Sequence, residues 1–233
     1  MPIPPFSVVI TAAGLSARFK DDDANGSVKK EFMSIDGHSV LYRAAVPFFS
    51  IPGLAAVAVT YDPQVEAQTK YALEDLVLQH SIPVLMVEGG ETRQKSVFNA
   101  LQALSSNGLS GDFVMIHDGA RPYVLLDCIY QVFGQASVSG AAAGAIKVSD
   151  AVVEATDDGF IKRHVDRSGL YLIQTPQIFR FQDILKAHQM ASDDGVQYPD
   201  DTSVYQKYIG KVALCQGDER NRKITWPHDL ESD

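Results

Sequence analysis

Ser7-Val8-Val9-Ile10-Thr11-Ala12, running straight into Ala13-Gly14-Leu15-Ser16-Ala17-Arg18, is the stretch on which the fold turns. Its first half is apolar at odd and even positions alike, and a strand apolar on both faces belongs inside a sheet covered by helices. Runs of the same kind recur at Ala55–Tyr61, Ile82–Val87, Phe113–His117 and Ala141–Val148. Between them lie helical patterns at Val40–Phe49, Pro63–His80, Thr92–Leu104 and Pro122–Ala136. The third of these has Val97, Leu101 and Leu104 at helical spacing behind a Thr92 cap, and the fourth has Pro122 at a first-turn position. Strand alternating with helix predicts an α/β fold, a mainly parallel doubly wound sheet. Ligands of such sheets sit beyond the carboxyl ends of the strands, and the polar clusters of this chain follow those ends.

Further along, Ala151–Thr156, Phe160–Val165 and Leu170–Gln174 read as short strands, with Asp157-Asp158-Gly159 as a hairpin turn between the first two. They predict an antiparallel β-arm inserted at about 149–172 in an otherwise single domain spanning 1–233. Such an arm cannot bury both of its faces alone, so it packs on the main body or on a second subunit.

Composition narrows the function classes. The chain has 233 residues, 45% hydrophobic and 21% charged, enough for a sizeable core and unlike a disordered chain. Acidic residues outnumber basic ones by 29 to 20, a net charge of -9, which disfavours nucleic acid as a partner. An anionic ligand must therefore be held by a few concentrated cations and backbone amides. Two cysteines, Cys128 and Cys215, supply neither a disulfide framework nor a cysteine-rich zinc site. Neither a signal peptide nor an apolar run of membrane-spanning length is visible, so no membrane partner is expected and the cytoplasm is the expected compartment.

Five segments carry candidate chemistry. After the first strand, the small residues Ala12, Ala13 and Gly14 let the backbone approach a bulky anion, with Arg18 and Lys30 as nearby charges. Taken alone, the same segment is equally a glycine turn with solvated basic residues. It lacks the spacing of a Walker loop or a dinucleotide fingerprint. Asp21-Asp22-Asp23 reads as a solvated loop face. Gly89-Gly90-Glu91-Thr92-Arg93-Gln94-Lys95-Ser96 closes the third strand and opens a helix, either as an ordinary connection or as a flat seat for a base. In His117-Asp118-Gly119-Ala120-Arg121-Pro122, Asp118 is a candidate ligand for magnesium or a ribose hydroxyl, and Arg121 either meets phosphate or fixes the loop. His117 reads as a buried, satisfied histidine. Finally, Thr175-Pro176-Gln177 reads as a polar break before a helix from Phe181, and Lys223 as a cation pointing back from a late strand.

Five motifs in order, AAGLSAR, GGETRQKS, HDGARP, VDRSGLYLIQTPQIF and NRKIT, make the chain resemble the 2-C-methyl-D-erythritol 4-phosphate cytidylyltransferase family over nearly its whole length. The resemblance implies a nucleotidyltransferase-type, Rossmann-like domain. It also implies the reaction of CTP with 2-C-methyl-D-erythritol 4-phosphate in isoprenoid precursor synthesis, with Mg²⁺. By the same resemblance Arg18 and Lys30 stabilise the triphosphate charge, while Lys223 and Arg167 orient the attacking phosphate. Ala12, Ala13, Gly14, Gly89, Gly90 and Ser96 surround cytosine and ribose, and Glu91, Arg93, Asp118, Gly119, Arg121 and Thr175 complete the expected substrate-binding set. The Arg167 position lies on the arm and serves a neighbouring subunit's site, which implies a homodimer. Departures from the family pattern at Glu91, Ala151 and Pro199 bear on the sugar-phosphate half. A ribitol-5-phosphate cytidylyltransferase and an inactive nucleotide-binding relative are the alternatives.

Overall fold

The computed structural model describes residues 3–14 and 29–230. Strand β1 (Phe6–Thr11) lies inside a seven-stranded sheet. It is flanked by β4 (Leu54–Tyr61) on one side and β6 (Phe113–Asp118) on the other, both parallel to it. A minor hairpin, β2 (Ser34–Ile35) with β3 (His38–Ser39), precedes β4. Beyond β4 lies the edge strand β5 (Val84–Glu88). Beyond β6 come β10 (Tyr171–Arg180), β7 (Ala141–Lys147) and the other edge strand, β11 (Ala213–Gln216). Only β10 runs against its sheet neighbours.

Alternation along the strands builds the two cores. Phe6, Val8 and Ile10 of β1 face one side with Val57 and Val59 of β4 and Met115 of β6, while Val9 faces the other with Val114 and Ile116. The first core is roofed by α1 (Val40–Phe49), α2 (Glu66–Gln79) and α4 (Leu126–Ser139). The second is roofed by α3 (Arg93–Ser106), α5 (Phe181–Asp193) and α6 (Asp201–Tyr208). Helices on both faces explain why these strands are apolar throughout.

The structure corrects several expectations. The stretch from Pro122 is loop until Leu126, so Pro122 does not open α4. Pro63 opens a short 3₁₀ turn capped by Asp62, ahead of α2. The third arm strand and the Thr175-Pro176-Gln177 break are one strand: β10 passes through the cis Thr175–Pro176 bond, and its register against β7 shifts between Ile173 and Gln177. Proline has no N–H for the ladder, which suits it to such an irregularity. The arm therefore consists of the ribbon β8 (Val152–Ala155) and β9 (Ile161–Val165), plus the outer end of the β7–β10 pair.

Candidate active site

Parallel pairing brings the strand ends level, with Thr11 opposite both Thr60 and Asp118, and Tyr61 opposite Glu88. The loops after β1, β5 and β6 thus open on one edge of the sheet. Two of them touch. A Cβ placed on Gly89 would lie 2.2 Å from the Ala13 Cβ, so this glycine is required by close approach within the chain. The Ser96 hydroxyl, one turn into α3, accepts from Gly90 N at 3.0 Å and donates to Thr92 O at 2.9 Å. Ala12 is buried and its N–H reaches the Thr60 hydroxyl at 3.2 Å. Ala13, Gly89, Gly90 and Ser96 therefore meet in one small-residue wall, with Ala12 and Gly14 next to Ala13 in the chain and Glu91 exposed. A Cβ on Gly119 would lie 3.0 Å from Leu41 Cδ1 and from Thr11 O, and its N–H donates to Thr11 O at 2.9 Å.

Asp118 ends β6, and three cations converge on it. Its Oδ1 accepts from Arg93 Nε at 3.0 Å and from the Thr11 hydroxyl at 3.3 Å. Its Oδ2 accepts from Lys223 Nζ at 2.9 Å, and Arg121 Nε stands 3.6 Å away. Burial alone would raise the Asp118 carboxyl, yet Arg93, Lys223 and Arg121 hold it well below the usual carboxylate range. Lys30 is also buried, donating to Ile224 O at 2.7 Å, one residue beyond Lys223. Ile224 N in turn donates to Ala120 O at 2.8 Å, so the segment carrying Lys223 is stitched to the loop after β6. That segment is a loop past β11, not the expected strand.

Beneath the cations lies a polar relay. Asp118 N–H donates to Thr175 Oγ1 at 3.0 Å, and that oxygen is 3.0 Å from His117 Nδ1. His117 Nε2 is 3.1 Å from Arg121 O. One proton arrangement satisfies all three groups: Thr175 donates to Nδ1, and Nε2–H donates to the carbonyl. Burial pushes the His117 imidazole down to about 4, so it is neutral at physiological pH. A second latch is formed by Asn221, whose Nδ2 donates to Thr175 O at 2.8 Å and whose carbonyl accepts from Arg121 Nη1 at 2.7 Å. Gln174 Nε2 adds a bond to Asp218 O at 2.7 Å.

The edge thus joins Lys30, Arg93, Asp118, Arg121, Thr175 and Lys223. Arg167 stands apart from them: it is exposed on the β9–β10 turn, its guanidinium donating to Ser149 O. Arg18 and the Asp21-Asp22-Asp23 run lie outside the described residues. Both oxygens of Asp118, the expected metal ligand, already accept from cations, Oδ1 from Arg93 and Oδ2 from Lys223. Among the described residues no group of three or more His, Cys, Asp and Glu side chains is arranged to hold a metal.

Residues 6–233 match the sequence profile of the 2-C-methyl-D-erythritol 4-phosphate cytidylyltransferase family. The chain belongs to that family. The 2-C-methyl-D-erythritol 4-phosphate cytidylyltransferase of Caldanaerobacter subterraneus subsp. tengcongensis is 37% identical to it over 226 residues, covering 96% of this chain and 95% of the relative. The crystal structure of the enzyme of that name from Thermus thermophilus superposes with a TM-score of 0.77 at 30% identity, over 97% of this chain and 95% of that one. The structure of 4-diphosphocytidyl-2C-methyl-D-erythritol synthase from Anaerococcus prevotii shares the fold, with a TM-score of 0.80 at 24% identity over 97% and 93% of the two chains. Sequence reasoning missed the parts played by Thr11, Gln174 and Asn221 in this network, and by Asp201 and His188, which extend it: Arg93 Nη1 donates to Asp201 Oδ2 at 2.7 Å, and Asp201 Oδ1 lies 3.0 Å from His188 Nε2. Asp200-Asp201 ahead of a helix was the one visible signal, and it reads locally as a helix cap.

Proposed function

We propose that this chain joins CTP to 2-C-methyl-D-erythritol 4-phosphate at the edge around Asp118, releasing pyrophosphate. The observation that carries this placement is the convergence of Arg93, Arg121 and Lys223 on one buried carboxylate, with Lys30 beside them. The attacking group is a phosphate oxygen, already nucleophilic at neutral pH, so the reaction needs no general base. What opposes it is repulsion between a phosphate dianion and a polyanionic nucleotide. Catalysis then rests on positioning and on fixed positive charge where the leaving pyrophosphate develops its own.

In this reading the wall of Ala12, Ala13, Gly14, Gly89, Gly90 and Ser96 takes the cytidine, with Glu91 at its rim. Lys30 serves the triphosphate, the role that the family resemblance gives to Arg18 as well. Lys223, Arg121 and Thr175 take the alcohol phosphate, and Asp118 aims Lys223 and Arg93 rather than binding metal. We assign Mg²⁺ to the triphosphate as its counter-ion. A homodimer supplies Arg167 from the arm of the neighbouring subunit, a reading supported by its exposure and by the open apolar residues Phe160, Ile161 and Leu172 on the same arm. Steady-state assay of pyrophosphate release tests these roles. Lys30→Ala is expected to lower kcat by ~10²-fold or more, as for a lost transition-state charge contact. Lys223→Ala is expected to raise KM for the alcohol phosphate selectively. Unchanged constants in both variants remove this edge from the mechanism.

A further inference from the structure

Behind Asp118 a line of charge runs into the second core. Arg93 reaches Asp118 through Nε, and its Nη1 donates to Asp201 Oδ2 at 2.7 Å. Asp201 is the first residue of α6, and its Oδ1 is 3.0 Å from His188 Nε2 of α5. Asp201 and His188 are each 1% exposed. The His188 ring lies nearly parallel to Phe98 of α3, with centroids 6.2 Å apart and planes at 12°. His188 Nδ1 is buried without a partner. Nε2 is therefore the nitrogen that serves a purpose, donating to the carboxylate.

Burying a carboxylate, an imidazole and a guanidinium together is not a route to stability, because desolvation offsets most of their attraction. What the arrangement supplies is direction. A guanidinium tied only through Nε can swing about its last bonds; tied also through Nη1, it has one orientation. Asp118 then receives Arg93 from a fixed side, which leaves Oδ2 turned toward Lys223. Burial would raise Asp201, but Arg93 and His188 hold it below the usual carboxylate range, so it stays ionised for this work.

We infer that Asp201 and His188 are positioning residues for the reaction: through Arg93 they set the orientation of Asp118, and hence where Lys223 presents its ammonium to the attacking phosphate. This rests on the proposed placement of the alcohol phosphate at Lys223. It adds two residues that touch neither substrate and reach the site from α5 and α6.

The test compares Asp201→Asn, Asp201→Glu, His188→Leu and His188→Gln in full-length protein. Asp201→Asn is expected to raise KM for 2-C-methyl-D-erythritol 4-phosphate ~10-fold while KM for CTP moves less than ~2-fold, with Asp201→Glu recovering part of the loss. His188→Gln keeps a side-chain donor and should stay near wild type, whereas His188→Leu should follow Asp201→Asn. A readout independent of turnover is hydrogen exchange at Arg93 Nε–H by NMR, slow in the wild type and faster in Asp201→Asn and His188→Leu. If Asp201→Asn does not fold, the His188 pair decides by the same criteria. Equal loss toward both substrates, no loss, or unchanged Arg93 exchange overturns the inference. Wild-type protein that releases no pyrophosphate overturns the function instead, and the exchange measurement still decides the positioning claim.

Discussion

Thr175 carries more of the site than its single hydroxyl suggests, because it is the one group between the Asp118 amide and the His117 ring. Thr175→Val keeps the shape and strands a buried N–H and a buried ring nitrogen together. It should cost ~1–3 kcal/mol in urea unfolding, with Thr175→Ser restoring most of it. His117 makes a separate prediction about pH. Its folded value is about 4 against 6.5 for a free imidazole, so the unfolded chain binds more protons between those values. Stability must therefore rise with pH across that window and be lost as pH falls from 6.5 toward 4. Asp118 and Asp201 are shifted the same way, downward, but from a lower starting value. Their contribution is present above the usual carboxylate value of 3.8 and is lost only as pH falls through their lowered folded values. Unfolding free energy measured from about pH 7 to about pH 4 should slope in the wild type and flatten in His117→Gln. An equal slope in both would remove His117 as its source.

Among elements, β5, α3 and β10 show what could be read in advance. The alternation of apolar runs and helical patterns was legible because burial on both faces of a sheet leaves continuous apolar strands, and Val40–Phe49 came out residue for residue. Thr92 as the cap of α3 was legible too, since a capping hydroxyl acts locally: it accepts from Lys95 N at 3.1 Å. The course of β10 through Pro176 was not, because a proline in a strand is tolerated only by a register shift in its neighbours, which is a tertiary fact. Nor was the Arg93–Asp201 pair, whose partners lie far apart in sequence on two helices. For Gly89 the sequence did not show a second partner: the glycine also permits close approach of Ala13, which brings the loop after β1 against the loop after β5. Gly89→Ala forces those loops apart, an overpacking cost of ~1–3 kcal/mol. It should raise KM for CTP more than KM for the alcohol phosphate, and the reverse order would move the cytidine off this wall.

At the scale of the whole molecule, a chain of net charge -9 gathers four of its cations, Lys30, Arg93, Arg121 and Lys223, on one rim of a sheet and leaves an arm with open apolar residues. If that arm completes a neighbour's site, inactive Arg167→Ala and Lys30→Ala subunits should complement each other. Mixing them should then return part of the activity, because some sites carry both native residues; no recovery, or a monomer in sedimentation, denies the shared site. The most direct measurement is pyrophosphate release by the purified protein given CTP with either 2-C-methyl-D-erythritol 4-phosphate or ribitol 5-phosphate, in the wild type and in Lys30→Ala. Turnover with the methylerythritol phosphate, preferred over the ribitol phosphate and reduced ~10²-fold or more by the substitution, is what this site predicts. Preference for ribitol 5-phosphate, or a Lys30→Ala variant as fast as the wild type, contradicts it.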